Sequence, residues 1–321
     1  MTDTTRPKRY RMVSKYYKET YGEKVYKLPV ALPLTCPNRD GSAGVGGCTF
    51  CGEIGAGYEN RPAWMTVRMQ LEENIAHIVP KYKAKKFIPY YQNFSNTYLG
   101  LDDFKSYMEQ GCIEEAVGIA IATRPDCIAD EYLDILADIR DRFQKDIYIE
   151  LGLQTVNYDT LEKINRGHDL AQFIDAVLRI KRYGFNVTTH MIVNLPWDTM
   201  KDTIEGARIL SALGVDQVKL HALYIVKNTL MAKWYQEGQF TLISAEEYAD
   251  RVVNFVRHLH PDIVLQRLVG RAPEDNTLFT NWSMGWWRVQ DLIDDKLDEL
   301  DAHQGDLCDY LNGKAVRKFI D

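Results

Sequence analysis

The sequence predicts an α/β fold: a (β/α)6 partial barrel with an N-terminal basic arm and a C-terminal α-rich extension. Three observations carry this reading. Apolar runs of strand length alternate with amphipathic helical patterns, a glycine-rich cysteine loop follows the first run directly, and the alternation breaks down beyond Glu237. Strands separated by helices run parallel, because each crossover returns the chain to the same edge of the sheet. A flat doubly wound sheet fits the same alternation, so the chemistry of the loop has to separate the two.

In chain order, residues 1–27 form the basic arm, 28–240 the barrel and 241–321 an extension packed on it. Apolar runs at residues 28–34, 87–94, 116–123, 147–155, 187–195 and 215–226 have the length and β-branched content of buried strands. Between them, residues 67–82, 131–143, 170–183 and 199–213 return an apolar residue every three or four positions, as a helix packed on a sheet requires. The extension opens with a helical pattern at 245–258 and an apolar run at 263–269. A Trp-rich segment and an acidic helix follow.

The composition, 45% hydrophobic and 26% charged over 321 residues, is that of an ordinary globular protein and excludes disordered and solenoid classes. No stretch approaches the roughly 18 apolar residues of a membrane span, and the N-terminus lacks the apolar centre of a signal peptide. The expectation is a cytoplasmic protein whose six unevenly spaced cysteines are free thiols or metal ligands. The net charge of -6 hides an asymmetry: residues 1–30 hold eight Lys or Arg against three acids, and the balance reverses over 288–309. Such an arm suits nucleic-acid phosphates, but a charge run is also a common solvated face. Lys81, Lys83, Lys85 and Lys86 pose the same choice.

The sharpest feature is the segment from Cys36 to Cys51, with Cys48 between, placed where barrel enzymes hold their chemistry. Thiolates favour iron–sulfur clusters or zinc, and the five glycines from Gly41 to Gly52 let the backbone wrap a cluster with its N–H groups inward. Three ligands leave one metal position open, whereas a closed structural zinc site wants four. Cys112, Cys127 or Cys308 is then a candidate fourth ligand. No Gly-Lys-Ser/Thr of a phosphate loop occurs, the final glycine of a dinucleotide fingerprint is missing, and no His in the motif activates Cys51 as a nucleophile.

A cysteine triplet ending in Cys48-Thr49-Phe50-Cys51 after a first barrel strand resembles the radical S-adenosylmethionine (SAM) superfamily. The eleven residues between Cys36 and Cys48 are similar to a narrower YhcC/YtqA-like group, related to the radical SAM core of the Elongator catalytic subunit. The likeness continues through Gln92-Asn93-Phe94-Ser95-Asn96-Thr97-Tyr98, Ala122-Thr123-Arg124-Pro125-Asp126, Glu150 to Thr155 and Asn165-Arg166-Gly167-His168, and reaches Gln266 to Gly270 and Asn281-Trp282-Ser283. It departs at Asn194 and Trp197, where relatives often carry glycine, and at Ala122, where some members place a ribose-binding acid.

The resemblance implies a radical SAM partial TIM barrel whose [4Fe–4S] cluster is held by Cys36, Cys48 and Cys51. It also implies SAM contacts from Phe50, Gln92, Asn93, Ser95, Gln154, Arg166 and His190, with Thr123, Asp126 or Glu150 at the ribose and His221 as a lining residue. Such an enzyme cleaves SAM to methionine and a 5′-deoxyadenosyl radical, with a one-electron reductant such as flavodoxin or ferredoxin. Taken without the resemblance, Gln154 reads as a strand-end cap, Arg166 as an ion-pair partner and His190 as a core histidine. Modification of a tRNA wobble uridine is the leading substrate expectation, with Tyr10, Tyr16, Tyr17, Tyr21 and Tyr26 as stacking candidates or as a buried aromatic face. A small porphyrin-type substrate and a non-catalytic zinc module are the alternatives.

Overall fold

The computed structural model describes residues 7–53, 55, 59–270 and 276–320, so Arg6 of the basic arm lies outside the described residues. The elements in chain order are α1 (Val13–Tyr21), β1 (Val25–Val30), α2 (Val67–Tyr82), β2 (Lys86–Tyr91), α3 (Leu101–Gly111), β3 (Gly118–Thr123), α4 (Asp130–Phe143) and β4 (Asp146–Gln154). Then come α5 (Tyr158–Lys163), α6 (Leu170–Arg182), β5 (Asn186–Ile192), α7 (Met200–Leu213), β6 (Gln217–His221), β7 (Ile225–Val226), α8 (Leu230–Gln236), α9 (Ala245–His258), β8 (Val264–Arg267), β9 (Thr277–Phe279) and α10 (Trp286–Glu299). Among the described residues, no helix is long and apolar enough to cross a membrane.

The principal sheet is parallel with order β1-β2-β3-β4-β5-β6-β8. Its curl is shown by side chains: Lys27 of β1 meets Glu150 of β4 and, at 3.1 Å, Gln266 of β8, so the first and last strands face each other across the interior. This is the half-barrel arrangement, not the flat doubly wound one. Strand alternation assigns the faces: on β4, Ile147, Ile149, Leu151 and Leu153 enter the core beneath the helices, while Tyr148, Glu150, Gly152 and Gln154 turn into the barrel. Against the outer face, α6 buries Phe173, Ala176, Val177 and Ile180, and an Asp169–Gln172 capping box fixes where it begins.

Three details differ from the sequence expectation. The run 215–226 divides into β6 and β7, because the Leu223 amide donates to the Asn194 side chain at 2.6 Å and leaves the ladder. The run 263–269 becomes a seventh parallel strand, β8, whose edge is covered by Met12 and by the Leu265 amide bonding to Arg11. Helix α3, which the sequence reading did not mark, buries Phe104, Met108 and Gly111 at helical spacing.

The basic arm and the acidic C-terminal helix neutralise each other. Lys8 and the Tyr10 hydroxyl bind Asp294, and Arg9 binds Asp298 and Asp301. Tyr16, Tyr17 and Tyr21 of the arm form an aromatic face in which Tyr17 is buried: Tyr17 packs edge-on against Tyr148 and Tyr21 bonds to Tyr148 and Asp146, plugging the barrel at the N-terminal ends of its strands, while Tyr26 stacks on Tyr82.

Candidate functional site

Above the tyrosine plug, the barrel interior is polar. The Glu150 carboxylate has no solvent exposure and accepts from Lys27, from Lys219 at 2.8 Å and from His190 at 2.7 Å. Burial by itself would raise the carboxyl's pKa, but the two lysines and the histidine outweigh it and hold the pKa well below the usual range. Burial draws Lys219 down to about 7 against the pull of Glu150, and draws His190 down to about 4, helped by Lys219. His190 stacks on His221, whose ring accepts from Arg267 at 2.7 Å. Burial and Arg267 hold the His221 pKa well below normal.

Toward the C-terminal ends of the strands, Cys36, Cys48 and Cys51 line one cavity together with Phe50, Gln92, Ser95, Thr123, Glu150, Gln154, Arg166 and His190. Each sulfur has a donor aimed at it. Ser95 points at Cys36 at 3.8 Å, Asn38 and Arg166 at Cys48 at 3.5 Å each, and Arg39 at Cys51 at 3.3 Å. Burial and the neighbouring Cys48 raise the Cys51 thiol, with Arg39 opposing. All six cysteines are free. Among the described residues, no three His, Cys, Asp or Glu side chains gather closely enough to grip one metal ion.

Backbone geometry builds this wall. Gln154, at the inward end of β4, sits at φ +78° beyond a register shift, and its side chain lines the cavity. A Cβ on Gly152 would lie 2.8 Å from both Arg166 and Gln154, so glycine makes room for the two side chains. Arg166 donates to the Gly152 carbonyl at 2.7 Å, and its own carbonyl accepts from Arg124, which Asp126 grips in a bidentate pair. Within the cysteine loop, Asn38 reaches the Asn165 carbonyl at 2.5 Å, and a Cβ on Gly44 would collide with its side chain.

Two of the sequence candidates face elsewhere. Asn93 clamps both backbone groups of Leu32, and Asp126 holds Arg124. The Thr123 hydroxyl is shared with Thr97 at 2.6 Å. Sequence reasoning missed Asn38 and Arg39 at the sulfurs and the lysines on Glu150. For Lys27 a signal existed, a charge at an inward position of an otherwise apolar strand, whereas Lys219 is flanked in β6 by the polar Gln217 and His221.

His168 supports the same wall, bonding the Gly152 carbonyl at 3.0 Å. Burial, with Arg166 and Arg124 adding, lowers its pKa to about 2. On acidification the unfolded chain takes up a proton near pH 6.5 while the folded chain resists down to about 2. The stability that neutral His168 brings is therefore complete above pH 6.5 and eroded as pH falls below it. Thermal melts from pH 7.5 to 5 are expected to show a falling Tm, and a smaller fall in H168Q; parallel curves for the two proteins would refute this.

Comparison with known proteins agrees with the geometry. Residues 36–210 match the Radical SAM superfamily and residues 215–299 the Radical_SAM C-terminal domain. The chain is 33% identical over 312 residues to YtqA of Bacillus subtilis, covering 96% of each. It is 33% identical over 281 residues to YhcC of Escherichia coli K12, covering 87% of this chain and 89% of the relative. A shorter match, 26% over 128 residues, covers 39% of this chain and 27% of a tRNA uridine(34) acetyltransferase from Dehalococcoides mccartyi. Among solved structures, archaeal Elp3 of Methanocaldococcus infernus shares the fold at TM-score 0.66 and 13% identity, over 87% of this chain and 64% of that one. With the half-barrel, the cysteine-lined cavity and near full-length relatives in agreement, the chain belongs to the radical SAM superfamily.

Proposed function

We propose that the protein is a cytoplasmic radical SAM enzyme that modifies a tRNA wobble uridine, with Cys36, Cys48 and Cys51 holding a [4Fe–4S] cluster. The observation that carries the radical reading is the set of three thiols on one cavity, each met by a side-chain donor. When bound, the cluster and SAM supply reductive cleavage of the sulfonium and a carbon radical that abstracts hydrogen from an unreactive position.

The chain's own residues do the rest. Donors from Asn38, Arg39, Ser95 and Arg166 stabilise thiolate over thiol and tune the site's potential. Gln154, Arg166 and Phe50 shape the wall against which SAM lies, and the tyrosine plug closes the far end to water. A one-electron reductant of the flavodoxin or ferredoxin kind serves as partner.

Two observations favour tRNA. One is the partial likeness to a protein named for tRNA uridine 34. The other is a groove of about 690 Å³ beside the cysteine loop, lined by Cys48, Cys51, Lys163, Asn165, Lys227, Asn228 and Trp234. Cations interleaved with an aromatic ring suit a single-stranded loop. The test is anaerobic incubation of reconstituted enzyme with SAM, reductant and bulk tRNA, followed by nucleoside mass spectrometry. A new mass at the wobble nucleoside, with 5′-deoxyadenosine stimulated by tRNA, is the expected result. Stimulation by a protein- and RNA-free extract alone would replace tRNA with a small molecule.

A further inference from the structure

Behind the cavity wall across from the cysteine loop, more cations than carboxylates stand among the described residues. Lys27 and Lys219 share a single carboxylate, Glu150, and Arg267 stands beside Lys219 as a further cation with no carboxylate of its own among the described residues. Arg267 spends its guanidinium on the neutral ring of His221 and makes no carboxylate pair among the described residues. Its Nε is buried with no partner among the described residues. Buried donors are ordinarily bonded, and a buried unmatched cation is costly, so an orphaned guanidinium donor next to a buried ammonium marks a place for an acceptor that carries negative charge. The wall adjoins the reacting space: Glu150, His190 and Tyr90 line the cavity that holds the three cysteines, and Lys219 bonds both Glu150 and the Tyr90 hydroxyl.

We propose that Arg267 and Lys219, framed by the stacked His190 and His221, form an oxyanion-binding subsite that anchors a carboxylate or phosphate of the substrate. This deepens the radical reading of the same cavity and rests on it for the identity of the occupant as substrate. The guanidinium offers a planar fork suited to either anion, and the ammonium supplies a second charge beneath it. Around Lys219 stand Lys27 from β1, Tyr90 from β2, Glu150 from β4, His190 from β5, His221 from β6, and Gln266 and Arg267 from β8. Both imidazoles remain neutral near pH 7 and Glu150 remains ionised, so Lys219 is the group in this set whose charge an arriving anion changes. Anion binding is therefore accompanied by proton uptake and tightens as pH falls from about 8 toward 6.5.

The test is calorimetric titration of inorganic phosphate and, separately, acetate into the reconstituted holoenzyme, in buffers of different ionisation enthalpy. The expected result is binding of at least one anion with proton uptake, weakened about tenfold or more in R267Q and in K219M and less in R267K. K15Q, which alters an exposed lysine, leaves it unchanged. Preference for phosphate assigns a phosphorylated substrate or an RNA phosphodiester, and preference for acetate assigns a carboxylate substrate. Circular dichroism of R267Q, R267K and K219M guards against misfolding. Wild-type enzyme that binds neither anion, or variants that bind as tightly as wild type, would overturn the subsite. The radical reading is judged separately on wild-type formation of 5′-deoxyadenosine: cleavage without anion binding removes the subsite alone, and anion binding without cleavage removes the radical reading alone.

Discussion

Cys48→Ala is expected to remove 5′-deoxyadenosine formation while leaving the fold in place. Cys48 is buried at 8% exposure, and its sulfur accepts from Asn38 and Arg166, which between them tie the loop to the Asn165 carbonyl and to β4. Those ties to backbone survive the substitution, so the structural cost is that of a small buried truncation, about 1–2 kcal/mol. The chemical cost is much larger. Removing a partner that only orients a metal ligand typically costs about 10–100-fold, and removing the ligand itself should cost more than about 100-fold. The assay reconstitutes both proteins anaerobically with iron and sulfide, measures iron, sulfide and zinc, and follows SAM cleavage by chromatography. C48A should lose bound iron and cleavage together, with unchanged circular dichroism. Cleavage in C48A at the wild-type rate would remove the cluster from this cavity, and zinc in place of iron in the wild type would promote a binding module.

The largest loss of stability is expected from Glu150→Gln. The carboxylate is fully buried and is the counter-charge to both Lys27 and Lys219. An amide of the same shape keeps the packing but leaves two ammonium groups facing a neutral partner, and breaking a buried ion pair from one side costs about 3–5 kcal/mol. For a chain of this size that corresponds to a drop in Tm of about 4–7 °C. The sign of the pH dependence follows from the depressed carboxyl. Glu150's contribution is complete above the ordinary carboxylate range, begins to erode as pH falls through it and is gone only below the depressed folded-state value, so wild type and E150Q should converge on strong acidification. Urea unfolding at pH 7.5 measures the difference. A triple replacement, K27M with E150L and K219M, should recover much of the loss, because well-packed apolar groups often replace a buried charge cluster at little cost. An E150Q deficit under about 1 kcal/mol would mean that the lysines shed their protons or reach water instead of relying on the carboxylate.

Much of the fold was legible because its signals are local. Helices α2 and α9 fall on the residues their periodicity marks, since one face of each meets the sheet or a neighbouring helix and the other meets solvent. The parallel strands follow from their alternation with helices. Helix α3 was not marked although Phe104, Met108 and Gly111 recur at helical spacing, and the break between β6 and β7 was invisible because one side chain, Asn194, takes the Leu223 amide from 29 residues away. In the site, the cysteines were legible because spacing and glycine content are properties of one loop. Gln154 and Arg166 entered through the family resemblance, and the structure gives them a physical reason in the register shift of β4 and the missing Cβ of Gly152.

The sequence alone therefore determined the class of fold, the cysteine triplet and the family, because each is written in residues close together along the chain, where period, spacing and turn chemistry act. Tertiary structure decided everything that depends on two distant segments meeting. It set the basic arm against the acidic α10, turned the N-terminal tyrosines into the barrel's plug, and closed Lys27 of β1 and Lys219 of β6 onto Glu150 of β4. The physical reason is that charge and burial are set by three-dimensional neighbours: curling the sheet brings strands nearly 200 residues apart in sequence within hydrogen-bonding reach of one carboxylate.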